Sequence, residues 1–195
     1  MPQELTLATR NQHKLIEVQR ILAPFGIAVR PLPKTVMLGP EMGETFESNA
    51  RGKALTAATV LKRPVLADDS GIDALALGGR PGVRSARFAG EHATDAENLE
   101  KLLSLAPAGS VLTYVCVLVY ATGGGEHRVF YGRCRGRLAA APQGSGGFGY
   151  DPAFLPDDIP GSRTIAELSA EEKDSISHRG RALRAFATWL IGSGS

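Results

Sequence analysis

The sequence predicts an α/β domain built on a long mixed β-sheet flanked by helices. Apolar runs of strand length alternate with segments of helical periodicity. One central run, Val111 to Ala121, is apolar on both alternating faces, as in a strand covered on both sides. A glycine turn at Gly123 to Gly125 then sends the chain back along Val129 to Leu138, antiparallel to that run. Taken in order, Leu5 to Thr9 reads as a short apolar strand, followed by the polar stretch Arg10 to His13. Leu15, Val18, Leu22 and Phe25 then share one helical face, Gly26 ends the helix, and Ile27 to Arg30 resumes as a strand. A second helix from about Thr45 to Leu61 buries Phe46, Ala50, Ala54, Ala57 and Leu61 at steps of three and four. Pro64 marks its end, and Val65 to Ala67 forms a buried strand that ends on Asp68-Asp69-Ser70-Gly71.

Gly78, Gly79, Pro81 and Gly82 make the middle loop-rich. Thr94 and Glu97 then form a capping box for a helix carrying Leu99, Leu102 and Leu103. Val111 to Ala121 would span roughly 36 Å at the usual rise, long for a globular strand. On the returning strand Arg133, Arg135 and Arg137 line one face, which favours a solvated edge over a polyanion site. Ser169 and Glu172 form a further capping box, and Ala182, Phe186 and Trp189 share the face of a closing helix. No linker or repeat divides the chain, so residues 1–191 are expected to form one domain, with a short flexible Gly-Ser tail at 192–195.

Composition narrows the function. The chain has 195 residues, 43% apolar and 22% charged, which excludes disorder as the main state. A formal net charge of +2 is too small for a nucleic-acid coat. The longest apolar run has 11 residues where a membrane span needs roughly 20, and no basic flank with an apolar stretch opens the chain. The reducing cytoplasm is therefore expected. Cys116 and Cys134 are too few for a disulfide framework or a four-ligand zinc site, and read as free buried thiols.

Four segments carry polarity that packing does not demand. Thr9-Arg10-Asn11-Gln12-His13-Lys14 lies at a strand-to-helix turn, where unpaired N–H groups and the helix dipole suit a phosphate, or simply an ordinary cap. Asp68-Asp69-Ser70-Gly71 places two acids side by side, which resist desolvation unless cations hold them. Magnesium commonly takes one or two carboxylates plus phosphate oxygens, and Glu41, Glu44 or Glu47 could add another. The third segment runs from Gly144 to Pro152. It contains a literal G-x-G-x-x-G, yet Pro152 follows where the dinucleotide motif needs a helix. What remains is a glycine loop whose Phe148 and Tyr150 either stack on a base or belong to the core. The fourth, Lys173-Asp174-Ser175-Ile176-Ser177-His178-Arg179, lacks the glycines of a nucleophile elbow. His178 and Arg179 serve better as donors to a purine than as parts of a triad.

Together these segments resemble the inosine-triphosphate pyrophosphatases, also described as dITP/XTP pyrophosphatases. The matching residues are Ala8-Thr9 with Asn11 and Lys14, then Glu41, Gly43, Asn49-Ala50 and Lys53-Ala54. Ala67 to Gly71, Gly78-Gly79, Pro81-Gly82 and Ser85 to Arg87 follow. Gly146 to Pro152, Glu171 to Lys173 and Ile176 to Gly180 complete the pattern, which spans about Leu5 to Leu190. The resemblance implies two lobes with a nucleotide cleft between them, usually in a homodimer. It implies Mg2+-dependent hydrolysis of ITP, dITP or XTP to monophosphate and pyrophosphate, with neither nucleic acid nor a membrane as partner. Carried across, Thr9, Arg10, Asn11, Gln12, His13 and Lys14 would hold the phosphates and Ser70 would also touch substrate. Glu41 and Asp69 would bind the metal, and Asp69 would be the general base. Lys53 would meet the triphosphate. Phe148, Gly149, Tyr150 and Asp151 would bind the nucleoside, with Lys173, His178 and Arg179 reading the base. An orthophosphate-releasing phosphatase and an RNA-binding module resting on the arginine stripe are the rival readings.

Overall fold

The computed structural model describes residues 3–192. The first half of the chain runs β1 (Gln3–Leu7), α1 (Gln12–Leu22), β2 (Ile27–Pro31), α2 (Phe46–Leu61), β3 (Val65–Ala74) and β4 (Pro81–Gly82). The second half runs α3 (Asp95–Leu105), β5 (Val111–Ala121), β6 (His127–Leu138), β7 (Phe154–Pro156), α4 (Ala170–Ile176) and α5 (His178–Gly192). The strand order is β2-β1-β3-β5-β6-β7, with β4 paired to β3. β1 is parallel to both neighbours, setting Leu5 opposite Val29 and Leu7 opposite Leu66. β4 and β7 are antiparallel to β3 and β6. The sheet is mixed, as the sequence predicts.

The chain forms two compact units. The first holds residues up to Asp69, Cys116–Gly132 and residues from Arg179 onward. The second holds Ser70–Val115 and Arg133–His178, so β3, β5 and β6 each begin in one unit and end in the other. In the first unit Leu5 and Leu7 of β1 pack with Val18 and Leu22 of α1, Leu118 of β5 and Phe186 of α5. A further cluster sets the alanine face of α2, Ala50, Ala54 and Ala57, on Val65, Ala67 and Val119. Alanine there lets the helix approach closely and loses no side-chain entropy. The second unit buries Ile72, Leu102, Leu112, Phe154 and Ile165 together. Each fully buried aliphatic side chain contributes about 1.5–3 kcal/mol.

The expected capping boxes form. The Thr94 hydroxyl accepts the N–H of Glu97, whose carboxylate accepts the N–H of Thr94 at 2.7 Å, and Ser169 and Glu172 repeat the pattern. On α2 the buried face is Ala50, Ala54, Ala57 and Ala58, while Phe46 and Leu61 are only half-buried. The main departure is β3. It continues to Ala74, so Asp68-Asp69-Ser70-Gly71 lies inside a strand rather than at its end. Acids, serine and glycine disfavour strands, but here the carboxylates find partners that override propensity. Cys116 and Cys134 are buried free thiols, and burial pushes the Cys116 thiol up to about 12. The arginine stripe is exposed, with Arg135 and Arg137 at 3.7 and 3.9 Å from Asp157. Gly192 closes α5, and the rest of the expected tail lies outside the described residues. Among the described residues no helix is long and apolar enough to cross a membrane.

Candidate active site

In the first unit, helix α1 and strand β3 bring Lys14 and Asp68 together. Asp68 Oδ2 lies 3.0 Å from Lys14 Nζ and accepts bonds from Nε and Nη2 of Arg179 at 3.3 and 3.2 Å. The third arm of the guanidinium, Nη1, donates to Glu17 on α1 at 2.5 Å. Burial alone would raise the Asp68 pKa, but Lys14, then Arg179 and Lys53, hold its carboxyl well below the usual range. Asp68 Oδ1 is buried without a hydrogen-bond partner. Asp68 is thus locked ionised by a cationic cage.

Its neighbour points the other way along the strand and meets different groups. Asp69 Oδ2 accepts a bond from Asn49 Nδ2 at 2.9 Å, and Lys53 Nζ lies 3.9 Å from Oδ1. The same ammonium reaches Glu41 at 2.5 Å. Gly43 N–H donates to Asn49 Oδ1 at 2.8 Å, which fixes the amide so that its NH2 faces Asp69. A Cβ at 43 would fall 2.1 Å from Ser48 Oγ and 2.5 Å from Asn49 Oδ1, so a larger residue would push these side chains aside. Burial raises the Asp69 pKa, Lys53 and Asn49 oppose it, Glu41 adds to it, and the net shift is upward. For Lys53, burial is outweighed by Asp68, Asp69 and Glu41, and its pKa rises. A cavity of about 240 Å³ opens here, lined by Glu41, Gly43, Asn49 and Lys53 among others.

These groups suit a hard cation. Glu41 and Asp69 are oxygen donors already gathered around one positive charge, that of Lys53. Among the described residues no group of three or more His, Cys, Asp or Glu could enclose a metal, so an ion here needs other oxygens to complete its shell. Magnesium binds in that way, through one or two carboxylates with phosphate and water oxygens.

In the second unit Asp151 is the centre. Its Oδ2 accepts Lys173 Nζ at 2.8 Å and the Phe148 N–H at 2.9 Å, and its Oδ1 accepts the Tyr114 hydroxyl at 2.9 Å. The Lys173 ammonium also lies 4.8 Å from the centroid of the half-buried Phe148 ring. The glycine loop is pinned at Gly149, whose N–H donates to Asp95 Oδ2 at 2.8 Å. Gly147 has φ +72°, and a Cβ there would lie 2.1 Å from Asp151 Oδ2, so no other residue lets the loop close on that carboxylate. His178 is buried and stacks on Tyr114 with centroids 4.6 Å apart and planes 6° apart.

The structure therefore gathers Lys14, Glu41, Lys53, Asp69 and Arg179 in one unit, and Phe148, Gly149, Asp151, Lys173 and His178 in the other. Ser70, half-buried, follows Asp69 on β3 as the first residue of the second unit. Thr9 and Asn11 shape the start of α1: Thr9 Oγ1 accepts the Asn11 N–H, and Asn11 caps the helix through the Lys14 N–H. Gln12 and His13 are exposed there.

Three of the expected residues are engaged by groups of the protein itself. The Arg10 guanidinium donates to the carbonyls of Leu32, Pro33 and Val36 at 2.8, 3.0 and 2.7 Å, tying down the segment after β2. Tyr150 is buried, and its hydroxyl donates to the Ser85 carbonyl at 2.8 Å. Arg179 is 1% exposed, with Nε, Nη1 and Nη2 all bonded to Asp68 and Glu17 in its own unit. These donors hold Asp68 and Glu17 together in this structure. Sequence reasoning assigned no role to Glu17, Tyr114 or Asp95, and none to Asn49 as the holder of Asp69. An acid at 17 beside the buried Val18 and four residues before the buried Ile21 was a readable sign.

An α/β fold with a mixed sheet and a charge-compensated acid pair defines the class. The model of the Ham1 family matches residues 5–189, and the chain belongs to that family. It is 43% identical over 187 residues to the dITP/XTP pyrophosphatase of Desulfotalea psychrophila, covering 92% of this chain and 81% of that relative. It is 45% identical over 188 residues to the dITP/XTP pyrophosphatase of Geobacillus kaustophilus, covering 92% and 90%. Among solved structures it resembles a HAM1 protein from Coxiella burnetii, with a TM-score of 0.87, 38% identity and coverage of 97% and 99%. The Staphylococcus aureus Ham1 protein gives a TM-score of 0.84 at 36% identity, covering 98% of this chain and all of that one (100%).

Proposed function

We propose that this chain hydrolyses deaminated purine nucleoside triphosphates, dITP, ITP and XTP, to monophosphate and pyrophosphate with Mg2+. The observation that carries the reading is the acid pair. Two adjacent carboxylates, one caged by Lys14 and Arg179 and the other oriented by Asn49 with Lys53 nearby, suit a fixed anchor next to a base. The names of the relatives supply the substrate class.

In this reading Lys14 and the N-terminal turn of α1 hold phosphate oxygens, with Asp68 keeping the Lys14 ammonium in place. Lys53 leaves Glu41 for the incoming triphosphate. Glu41 and Asp69 would hold magnesium, which would supply neutralisation of the phosphate charge. Asp69 takes the proton of the attacking water, its carboxylate oriented by Asn49. Phe148 offers a ring to the base, while Lys173 and His178 donate to it. An ammonium has three donors and no acceptor, so it bonds a purine 6-carbonyl but not a 6-amino group. Leaving such donors unpaired against adenine can reject it by ~10⁴-fold. A homodimer working in the cytoplasm belongs to the same reading, and light scattering tests its first part.

A nucleotide panel with Mg2+ tests the proposal. Pyrophosphate from dITP, ITP and XTP, with ATP far slower, is expected. Orthophosphate as the first product, or equal turnover of ATP, overturns it.

A further inference from the structure

We propose that Tyr114 is a positioning residue for base recognition, setting the His178 ring by stacking and the Asp151–Lys173 pair by a hydrogen bond. This rests on the reading that Lys173 and His178 face the base. Tyr114 sits on β5 between Leu112 and Cys116 on one alternating face, and is buried. An aliphatic side chain would fill such a site without bringing a hydroxyl that must find a partner. The partner it finds is Asp151 Oδ1, at 2.9 Å. That bond leaves the other carboxylate oxygen to Lys173 Nζ and the Phe148 N–H. Tyr114 therefore fixes the rotation of the carboxylate on which both the ammonium and the Phe148 backbone rest.

The ring does a second task. His178 lies parallel to it, 4.6 Å away with 6° between planes, while Phe154 packs at 4.6 Å and 34° and limits its movement. A histidine whose plane is set by a stacked neighbour presents its nitrogens along a fixed direction. One side chain thus sets Lys173, Phe148 and His178, yet belongs to none of the recognised motifs. A residue that only fills the core would affect every substrate alike. A positioning residue affects those that carry a base to be read.

The experiment compares Tyr114→Phe, which removes the hydroxyl and keeps the stack, with Tyr114→Leu, which removes both. kcat/KM is measured on ITP, on ATP and on ribose 5′-triphosphate, which has no base, and thermal stability is recorded for each variant. The wild type is expected to prefer ITP over both other substrates. Tyr114→Phe is expected to lower the ratio of ITP to base-free turnover by about 3- to 10-fold, mainly through KM. For Tyr114→Leu the expected fall in that ratio is about 10- to 100-fold. A wild type with no preference for ITP overturns the base-reading assignment and this proposal with it. A wild type that prefers ITP, with a ratio unchanged in Tyr114→Phe and in any folded Tyr114→Leu, overturns the role of Tyr114 alone.

Discussion

In the first unit three cations, Lys14, Lys53 and Arg179, face four carboxylates, Glu17, Glu41, Asp68 and Asp69. In the second unit a buried ion pair, Lys173 with Asp151, sits among the rings of Tyr114, Phe148 and His178. The named groups of the first cluster leave one excess negative charge, which suits the arrival of a cation and then a polyanion. The second is nearly neutral and shaped by stacking, which suits a flat, uncharged base. Charge balance organises one cluster and geometry the other. Substitutions should therefore fail in different ways: loss of charge in the first unit should show as stability or turnover, and loss of shape in the second as specificity.

Asp68→Asn should have the largest effect. It leaves the half-buried Lys14 and the buried Arg179 without their shared anion, and breaking a buried pair costs about 3–5 kcal/mol, measured by chemical denaturation at pH 7. The pH dependence has a definite sign. The folded-state pKa of Asp68 is lowered, so its contribution is complete above the unfolded value near 3.8 and is lost as pH falls below it. The gap between wild type and variant should close on acidification. Lys173→Met should cost less, on the order of 2 kcal/mol, because Asp151 keeps the Tyr114 hydroxyl and the Phe148 N–H. It should also narrow the preference for ITP over ATP. Arg10→Met removes bonds to the carbonyls of Leu32, Pro33 and Val36, which should cost about 1–2 kcal/mol while leaving KM for the triphosphate unchanged. A raised KM would return Arg10 to the phosphate site. Arg135→Gln and Arg137→Gln, exposed and 3.7 and 3.9 Å from Asp157, should change stability by no more than about 0.5 kcal/mol.

Much of this was legible in the sequence because it is local. Periodicity placed α1, α2 and α5, and Thr94 with Glu97 and Ser169 with Glu172 marked helix starts that form as expected. Two-sided apolarity identified β5 in full. β3 was harder. Asp68 to Gly71 read as its terminus because those residue types disfavour strands, and only distant partners, Lys14, Asn49 and Arg179, keep them inside one. The same limit hid the contacts of Arg10 and Arg179. Both are donor-rich residues inside motifs, yet which acceptors they meet depends on Val36, Glu17 and Asp68, far away along the chain. Tyr114 was hidden for the opposite reason, since within an apolar strand a tyrosine looks like core until its hydroxyl is traced to Asp151.

The division between Asp68 and Asp69 is tested most directly by Asp69→Asn, with kcat on dITP and metal-free stability at pH 7 measured on one preparation. The folded-state pKa of Asp69 is raised, so its contribution to stability is lost as pH rises through that pKa, and at pH 7 the ionised group works against the fold. Asparagine removes that burden and the base together. The expected result is kcat lowered by about 100-fold or more with stability unchanged or higher. Retained turnover, or a loss of stability comparable to that of Asp68→Asn, would contradict the division of labour between the two acids.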